Sequence, residues 1–412
     1  MRPRPVVGVV VVVLWALLGP AASEGASVEI GPEASLCAEI NALAPGDELV
    51  LRPGEYRGPC TIRRGGLPGA PTVIRAKDVA DRPRIVYGGA TANVLDVEAD
   101  HVTIRGLAFG PTQRSVDGIR IFSRAGVTVE DCEFSGLGGI AVVANHFSGR
   151  GFVVRRNVIR DSRATAMYFG CQDGAWCMLT GLVVERNYIH TVRAPDPEIG
   201  YGIQVKLNSV ALIRDNVIVD TKGPGIMVYG ARDLSAVSVV ERNFLMGSIR
   251  SSGIVIGGGP VVVRNNVAVA SHEGGLGLED YGRRGLLRGI VIAHNTVFGN
   301  QAGGIVTPEN GVRDALLVNN AAHARVGAPA LPPARNGVEL AGNVDCSLLA
   351  CFTNPEARDF SPLLGAGLVG AGAVRVGPWV PGADYLGNRR GIPPTVGALE
   401  RPAGPIPLAP KP

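Results

Sequence analysis

The sequence predicts an all-β solenoid, a parallel β-helix, and three observations carry that expectation. First, a run of Val and Ile ending in polar residues returns at Val102, Val127, Phe152, Leu182, Ala211, Val239, Val261, Ile290 and Leu316. Aligned near their ends, these copies put Leu107, Cys132, Asn157, Asn187, Asn216, Asn243, Asn266, Asn295 and Asn320 in one column, at intervals of 23 to 30 residues. A period of that size marks a repeat architecture. Second, a glycine-rich run recurs between these copies, at Asp117, Gly139, Tyr201, Pro224, Ser252, Gly274 and Gly303. Third, no helical periodicity separates the runs, so nothing supplies the crossover of a doubly wound sheet. Strands of this kind bury their apolar faces only by stacking on their own copies, two or more to a coil.

The chain opens with MRPRPVVGVVVVVLWALLGPAAS: two arginines, an apolar run from Val6 to Leu18, then small residues. That is the plan of a secretory signal peptide, assigned to residues 1–26, with an apolar run too short to favour a spanning helix. Export permits disulfides. Among the seven cysteines, Cys37 and Cys60 flank the first strand region, and Cys171 with Cys177 and Cys346 with Cys351 bracket short turns. Pairing these six leaves Cys132, which stands in the asparagine column and reads as a buried apolar residue. CxxC clusters of the kind that bind zinc are missing.

Residues 27–90 read as an N-terminal cap and first coils, 91–325 as the repeats, 326–400 as C-terminal coils with a closing segment, and 401–412 as a Pro-rich tail. If Val154, Val184, Ile213, Val240 and Val263 point inward, the next residue in each coil points out. Those residues are Arg105, Glu130, Arg155, Glu185, Arg214, Glu241 and Arg264, alternating in sign. Coils about 4.8 Å apart would set each charge between two opposite ones. Each exposed pair contributes about 0–1 kcal/mol, so this column is architecture. The asparagines are read as bend residues, taking the left-handed backbone conformation and bonding their amides from coil to coil.

A net charge of +4 on 412 residues, with 18% charged and 5% aromatic, gives neither a nucleic-acid footprint nor a base-stacking platform. In the glycine-led runs Ile203 and Val205 point inward, which turns Gln204 and Lys206 outward. The same outward position elsewhere is read as Phe122, Val143, Tyr229, Gly257, Glu279 and Pro308, and the adjoining turns add His146, Asp173, Asn208, Arg232, Asp280 and Tyr281. Polar groups thus gather on one side of the middle coils. Lys206 is one of four lysines among 40 basic residues, and an ammonium, unlike a guanidinium, gives up its proton readily when desolvated.

Residues 35–78, with the PGD turn at 45–47 and the GEY strand at 54–56, resemble the entry segment of secreted right-handed parallel β-helix proteins of the pectin lyase-like superfamily, nearest in style to chondroitinase B and alginate lyases. DFSPLLGAG at 359–367 and ADYLGNRRGIPPTVGALE at 383–400 resemble the closing motif of many bacterial members. The resemblance implies a single-stranded right-handed β-helix with an N-terminal capping helix, exported to the periplasm or medium of a bacterium. YGIQVKLNSVALIRDNVI, from Tyr201, is similar to the segment in which a lysine of these lyases follows a strand. It implies an acidic, uronate-containing polysaccharide and either elimination or C5 epimerisation, with no nucleic acid, no membrane span after cleavage and a monomeric chain. Lys206 would be the base, Arg232 the carboxylate clamp, and Tyr229 or Tyr281 the acid. Gln204, Asn208, Glu279, Asp280, Tyr281, His146 and Asp173 would bind substrate, with Glu279, three coils away, at another subsite.

Calcium is the cofactor the resemblance raises. The acidic ligands that precede the lysine in those enzymes are replaced by Ile199 and Tyr201, with Asp196 and Glu198 nearby in the longest inter-coil insertion. The alternative reading is a non-catalytic carbohydrate-binding or structural solenoid. A glycosidase would need carboxylates such as Asp173 and Glu279 to converge within about 5–10 Å.

Overall fold

Each coil of the computed structural model carries three short strands, where the sequence singles out two. In one coil these are Leu182–Glu185, Tyr188–Val192 and Ile203–Val205, and the next begins at Ala211–Arg214. The middle strand is hidden in the sequence because only Arg186 and Asn187 separate it from the first, too short a bend to interrupt the apolar pattern. Residues 25–409 are described, apart from 173–175, 232–234, 282–284, 375–376 and 378. Most of the expected signal segment, Asp173 and Arg232 therefore lie outside the described residues. Like strands stack in parallel into sheets of 13, 12 and 10 strands. Their inner faces meet in one core: Val184, Ile213 and Val240 from the first sheet, Ile189 and Ile218 from the second, and Ile203 and Ile226 from the third are all buried.

A helix, Leu36–Ala42, closes the N-terminal end by burying Leu36 and Ile40 over the first coils. Asp47 of the PGD turn accepts the backbone N–H groups of Ala26 and Ala44. Tyr56 is fully buried, its hydroxyl donating to the carbonyls of Ile30 and Arg52. At the other end, Arg390 is buried against Glu400 and donates to Asn265 Oδ1. Cys37–Cys60, Cys171–Cys177 and Cys346–Cys351 are bonded, and Cys132 is a free thiol that burial pushes up to about 12. Among the described residues no helix is long and apolar enough to cross a membrane.

One expectation about the bends needs correction, while the coil-to-coil bonding of the amides is as expected. The left-handed conformation falls on the residue before each asparagine: Arg156, Arg186, Asp215, Arg242, Asn265, His294 and Asn319 all have φ between 53° and 57°. The asparagine itself turns inward and is fully buried. Asn187, for example, donates through Nδ2 to Asn216 Oδ1 at 3.0 Å and to the Val154 carbonyl at 2.9 Å, while its own Oδ1 accepts the Asn157 N–H. The left-handed turn of the preceding residue is what aims the amide along the axis, and Asn343 extends the ladder by one step.

The outer charge column is broken into groups rather than continuous. Glu130 bonds both Arg105 and Arg155, but Glu185 pairs with Arg214 and Glu241 with Arg264. The left-handed residues compete for the same carboxylates: Arg156 reaches Glu130 and Asp131, and Arg242 reaches Asp215 and Glu241.

Candidate functional site

The outer face of the third sheet is where the repeat stops repeating. Register pairs Arg120 with Val143, Val143 with Tyr168, Tyr168 with Gln204 and Gln204 with Met227. Val143 therefore belongs to the column of Gln204 and not to that of Lys206; the two columns lie two residues apart on one face, so the outward direction expected for Val143 holds while its column shifts. Two residues further on, on the same outer face, Phe122, Asn145, Gly170, Lys206, Tyr229, Gly257 and Glu279 share a column.

Lys206 ends the strand Ile203–Val205 and is 3% exposed. Its Nζ lies 5.0 Å from the ring centroid of Tyr168 in the preceding coil and 4.7 Å from that of Tyr229 in the next. Stacking at strand spacing thus holds an amine between two aromatic faces, an arrangement that suits an ammonium ion. Tyr168 passes its hydroxyl proton toward Gln172 Oε1 at 2.7 Å. The three side chains stand in a groove of about 600 Å³ whose walls also include Asp117, Arg120, Gln204, Tyr201 and Tyr281.

Arg120, which the sequence pattern did not single out, is the groove's fixed cation. It grips Asp117 Oδ2 through Nε and Nη2 at 2.9 and 2.5 Å and donates through Nη1 to Asn145. Burial pushes the Asp117 carboxyl above its usual range against the pull of Arg120. The signal was present in DGIRIF, since Ile119 and Ile121 inward put Arg120 outward. Tyr168 followed from the same alternation in MYF.

Glu279 lies three coils from Lys206, as expected, yet it is joined to the same cluster. It accepts a hydrogen bond from the Tyr281 hydroxyl, and the Tyr281 ring leans back to within 5.2 Å of Tyr229. Gly257 makes that lean possible, because a Cβ there would come within 2.8 Å of Tyr281 Cδ2. Burial raises the Glu279 carboxyl, and burial together with Glu279 raises the Tyr281 phenol above its ordinary value.

The insertion bearing Asp196 and Glu198 lines this groove and an adjoining recess of about 300 Å³ that holds Lys222, Glu273 and Glu279. Lys222 is buried, donates to the carbonyls of Ala194 and Glu198, and pairs with Asp196 at 2.8 Å. Arg250 takes the same Asp196 carboxylate and Arg114 takes Glu198. Both acids are thus engaged by cations, and among the described residues no three His, Cys, Asp or Glu side chains converge as a metal site. Among the described residues, none of these acids fits a calcium ion.

Other candidates fall elsewhere. His146 packs on Phe122 and Phe147, away from Lys206, in a separate recess. Asn208 is a left-handed turn residue whose N–H donates to the Gly230 carbonyl, and Asp280 is exposed at the turn beside Gly311; neither lines the groove.

No curated protein sequence matches the chain. Among solved structures, pectate lyase Pel9A is similar with a TM-score of 0.49 at 16% identity, over 92% of this chain and 97% of that one. The A-module of a mannuronan C-5 epimerase from Azotobacter vinelandii gives 0.47 at 15% identity, over 75% and 93%. An alginate lyase from Paenibacillus gives 0.45 at 16%, over 77% and 98%. The family model for the right-handed beta helix region matches residues 117–349, more than half of the chain, and the protein accordingly belongs to that right-handed β-helix family.

Proposed function

We propose that the chain acts on an acidic polysaccharide laid along the third sheet, by abstraction of the proton next to a sugar carboxylate. The observation that carries this reading is Lys206, buried between Tyr168 and Tyr229 in a groove whose wall also holds the Arg120 guanidinium. A uronate needs three things: a cation to neutralise its carboxylate, a base for the C5 proton and an acid to donate a proton once the carbanion has formed. Arg120 presents a cation already oriented by Asp117 and Asn145; Lys206, in its neutral amine form, takes the C5 proton and becomes the ammonium that the two rings suit. The Tyr229 phenol then either protonates the departing glycosidic oxygen as the C–O bond breaks, which is elimination, or returns a proton to the opposite face of C5, which is epimerisation.

The test is turnover of a panel of uronate polysaccharides, followed by ultraviolet absorbance of unsaturated product and, for epimerisation, by proton exchange at C5. Lys206→Ala is expected to lose at least about 100-fold in rate, the usual contribution of a positioned acid or base. Full activity in that variant would sink the assignment. A second reading, a binding solenoid without catalysis, is favoured by the apolar residues Val143, Met227 and Val255 that face outward from the same sheet. Binding with neither product nor exchange would select it.

A further inference from the structure

We propose that the corner formed by Phe122, Arg124, His146 and Phe147 is a second binding site, one that takes an anionic sugar unit of the same polysaccharide. The inference rests on the reading of the Lys206 groove given above and extends it toward the N-terminal end. Phe122 shares the column of Lys206 and stands three coils before it, about 14 Å along the axis at the spacing of stacked strands. A linear glycan lying along the sheet reaches both.

The corner has the chemistry of a sugar site. It opens into a recess of about 770 Å³. Phe147 is 39% exposed, and its ring is fixed from behind by edge contacts with His146 at 5.5 Å and Phe122 at 6.4 Å. A rigid exposed ring offers a face to the C–H groups of a pyranose at little entropic cost. The Arg124 guanidinium rests 4.7 Å from the centroid of that ring, and among the described residues it takes part in no ion pair. A guanidinium on a ring face keeps its N–H edge for a carboxylate or sulfate.

The acids of the recess are otherwise engaged. Asp100 Oδ1 accepts the Ser123 hydroxyl and the N–H groups of Arg124 and Ala125, and Glu98 pairs with Arg63 at 3.5 Å. Arg124 is left as the cation that meets an incoming anion.

The test is calorimetric titration of the full chain with uronate di-, tetra- and octasaccharides, carried out in a Lys206→Gln background so that ligand is not consumed. Affinity is expected to climb with length, and Arg124→Ala and Phe147→Ala are each expected to cut octasaccharide affinity about tenfold and flatten the climb. If the background binds the octasaccharide and both variants bind it equally well, the second site is wrong and the groove reading stands. If the background binds no glycan of any length, the groove reading falls and the second site falls with it.

Discussion

Replacing Asn216 by alanine measures what the asparagine ladder contributes. Asn216 Oδ1 accepts both the N–H and the Nδ2 of Asn187 at 3.0 Å, and its own Nδ2 donates to the Val184 carbonyl and to Asn243 Oδ1 at 2.9 Å. Alanine keeps the backbone but strands the Asn187 N–H in a site with no exposure. A stranded buried donor costs about 1–3 kcal/mol, and the remaining bonds contribute about 0.5–1.5 kcal/mol each. Asn187 Nδ2 and Asn243 Oδ1 each keep one other partner, Val154 and Asn216 N, which limits the total to about 3–5 kcal/mol. For a chain of this length that is a fall in Tm of about 4–6 °C. Asn343→Ala is the control, because Asn343 sits at the open end of the ladder, where water replaces it, and should cost about 1 kcal/mol or less. Thermal melts followed by circular dichroism, with urea midpoints as a second probe, give the comparison. If Asn216→Ala melts within about 2 °C of wild type, or no lower than Asn343→Ala, the ladder is decoration and the accounting is wrong.

Other consequences are open to direct measurement. Glu130 is buried and bonded by Arg105, Arg155 and Arg156; burial raises its carboxyl, but the arginines win and hold it below the usual range. Its stabilising effect is therefore present above the unfolded value of about 4.3 and is lost as pH falls below it. Glu130→Gln should be less stable than wild type at pH 7 yet lose less between pH 5 and pH 3, read from urea midpoints; an unchanged pH slope contradicts this. Gly257→Ala drives a methyl toward Tyr281 and should weaken polysaccharide binding several-fold with less than about 1 kcal/mol change in stability, whereas unaltered binding would show that the position of Tyr281 is irrelevant. Cutting the Cys37–Cys60 crosslink by double serine substitution should cost about 2–4 kcal/mol and expose the capping helix to proteolysis first, since that bond ties the helix to the first coils.

The legible part of the fold was set by which positions repeat. Val184, Ile213 and Val240 recur because every coil needs the same inward residue, so period and register could be read directly from the sequence. The asparagine column was visible, but its geometry was not: a left-handed residue leaves no signature when Arg, Asp, Asn and His all take it, and here they do. The charge column looked continuous because sequence records sign and order, not which of two neighbouring arginines reaches a carboxylate. Lys206 and Tyr229 were found by following one column from coil to coil. Arg120 and Tyr168 were missed because they stand in the column of Gln204, two residues before that of Lys206, which was not followed from coil to coil; the link from Glu279 to Tyr229 depends on a ring leaning across Gly257, which is a tertiary contact.

The same stacking that makes the fold also sets what kind of site it can hold. A parallel coil offers one side chain per column every 4.8 Å or so, so a catalytic group finds partners only from the coils directly above and below unless a turn bends one back. Lys206 obeys the first condition, with Tyr168 and Tyr229 as its immediate neighbours, and Tyr281 meets the second by folding over a glycine. The first sheet keeps its valines and the bends their asparagines through these coils, so the repeat is kept wherever it buries and abandoned where it faces the groove. Residues that break a rule the rest of the chain follows are the ones whose presence stability does not explain. On that ground Lys206 and Arg120, a buried lysine and a braced arginine on the outer face of the third sheet, are the substitutions whose effects should be greater on ligand than on Tm. Equal losses in both would make them one more pair of structural cations.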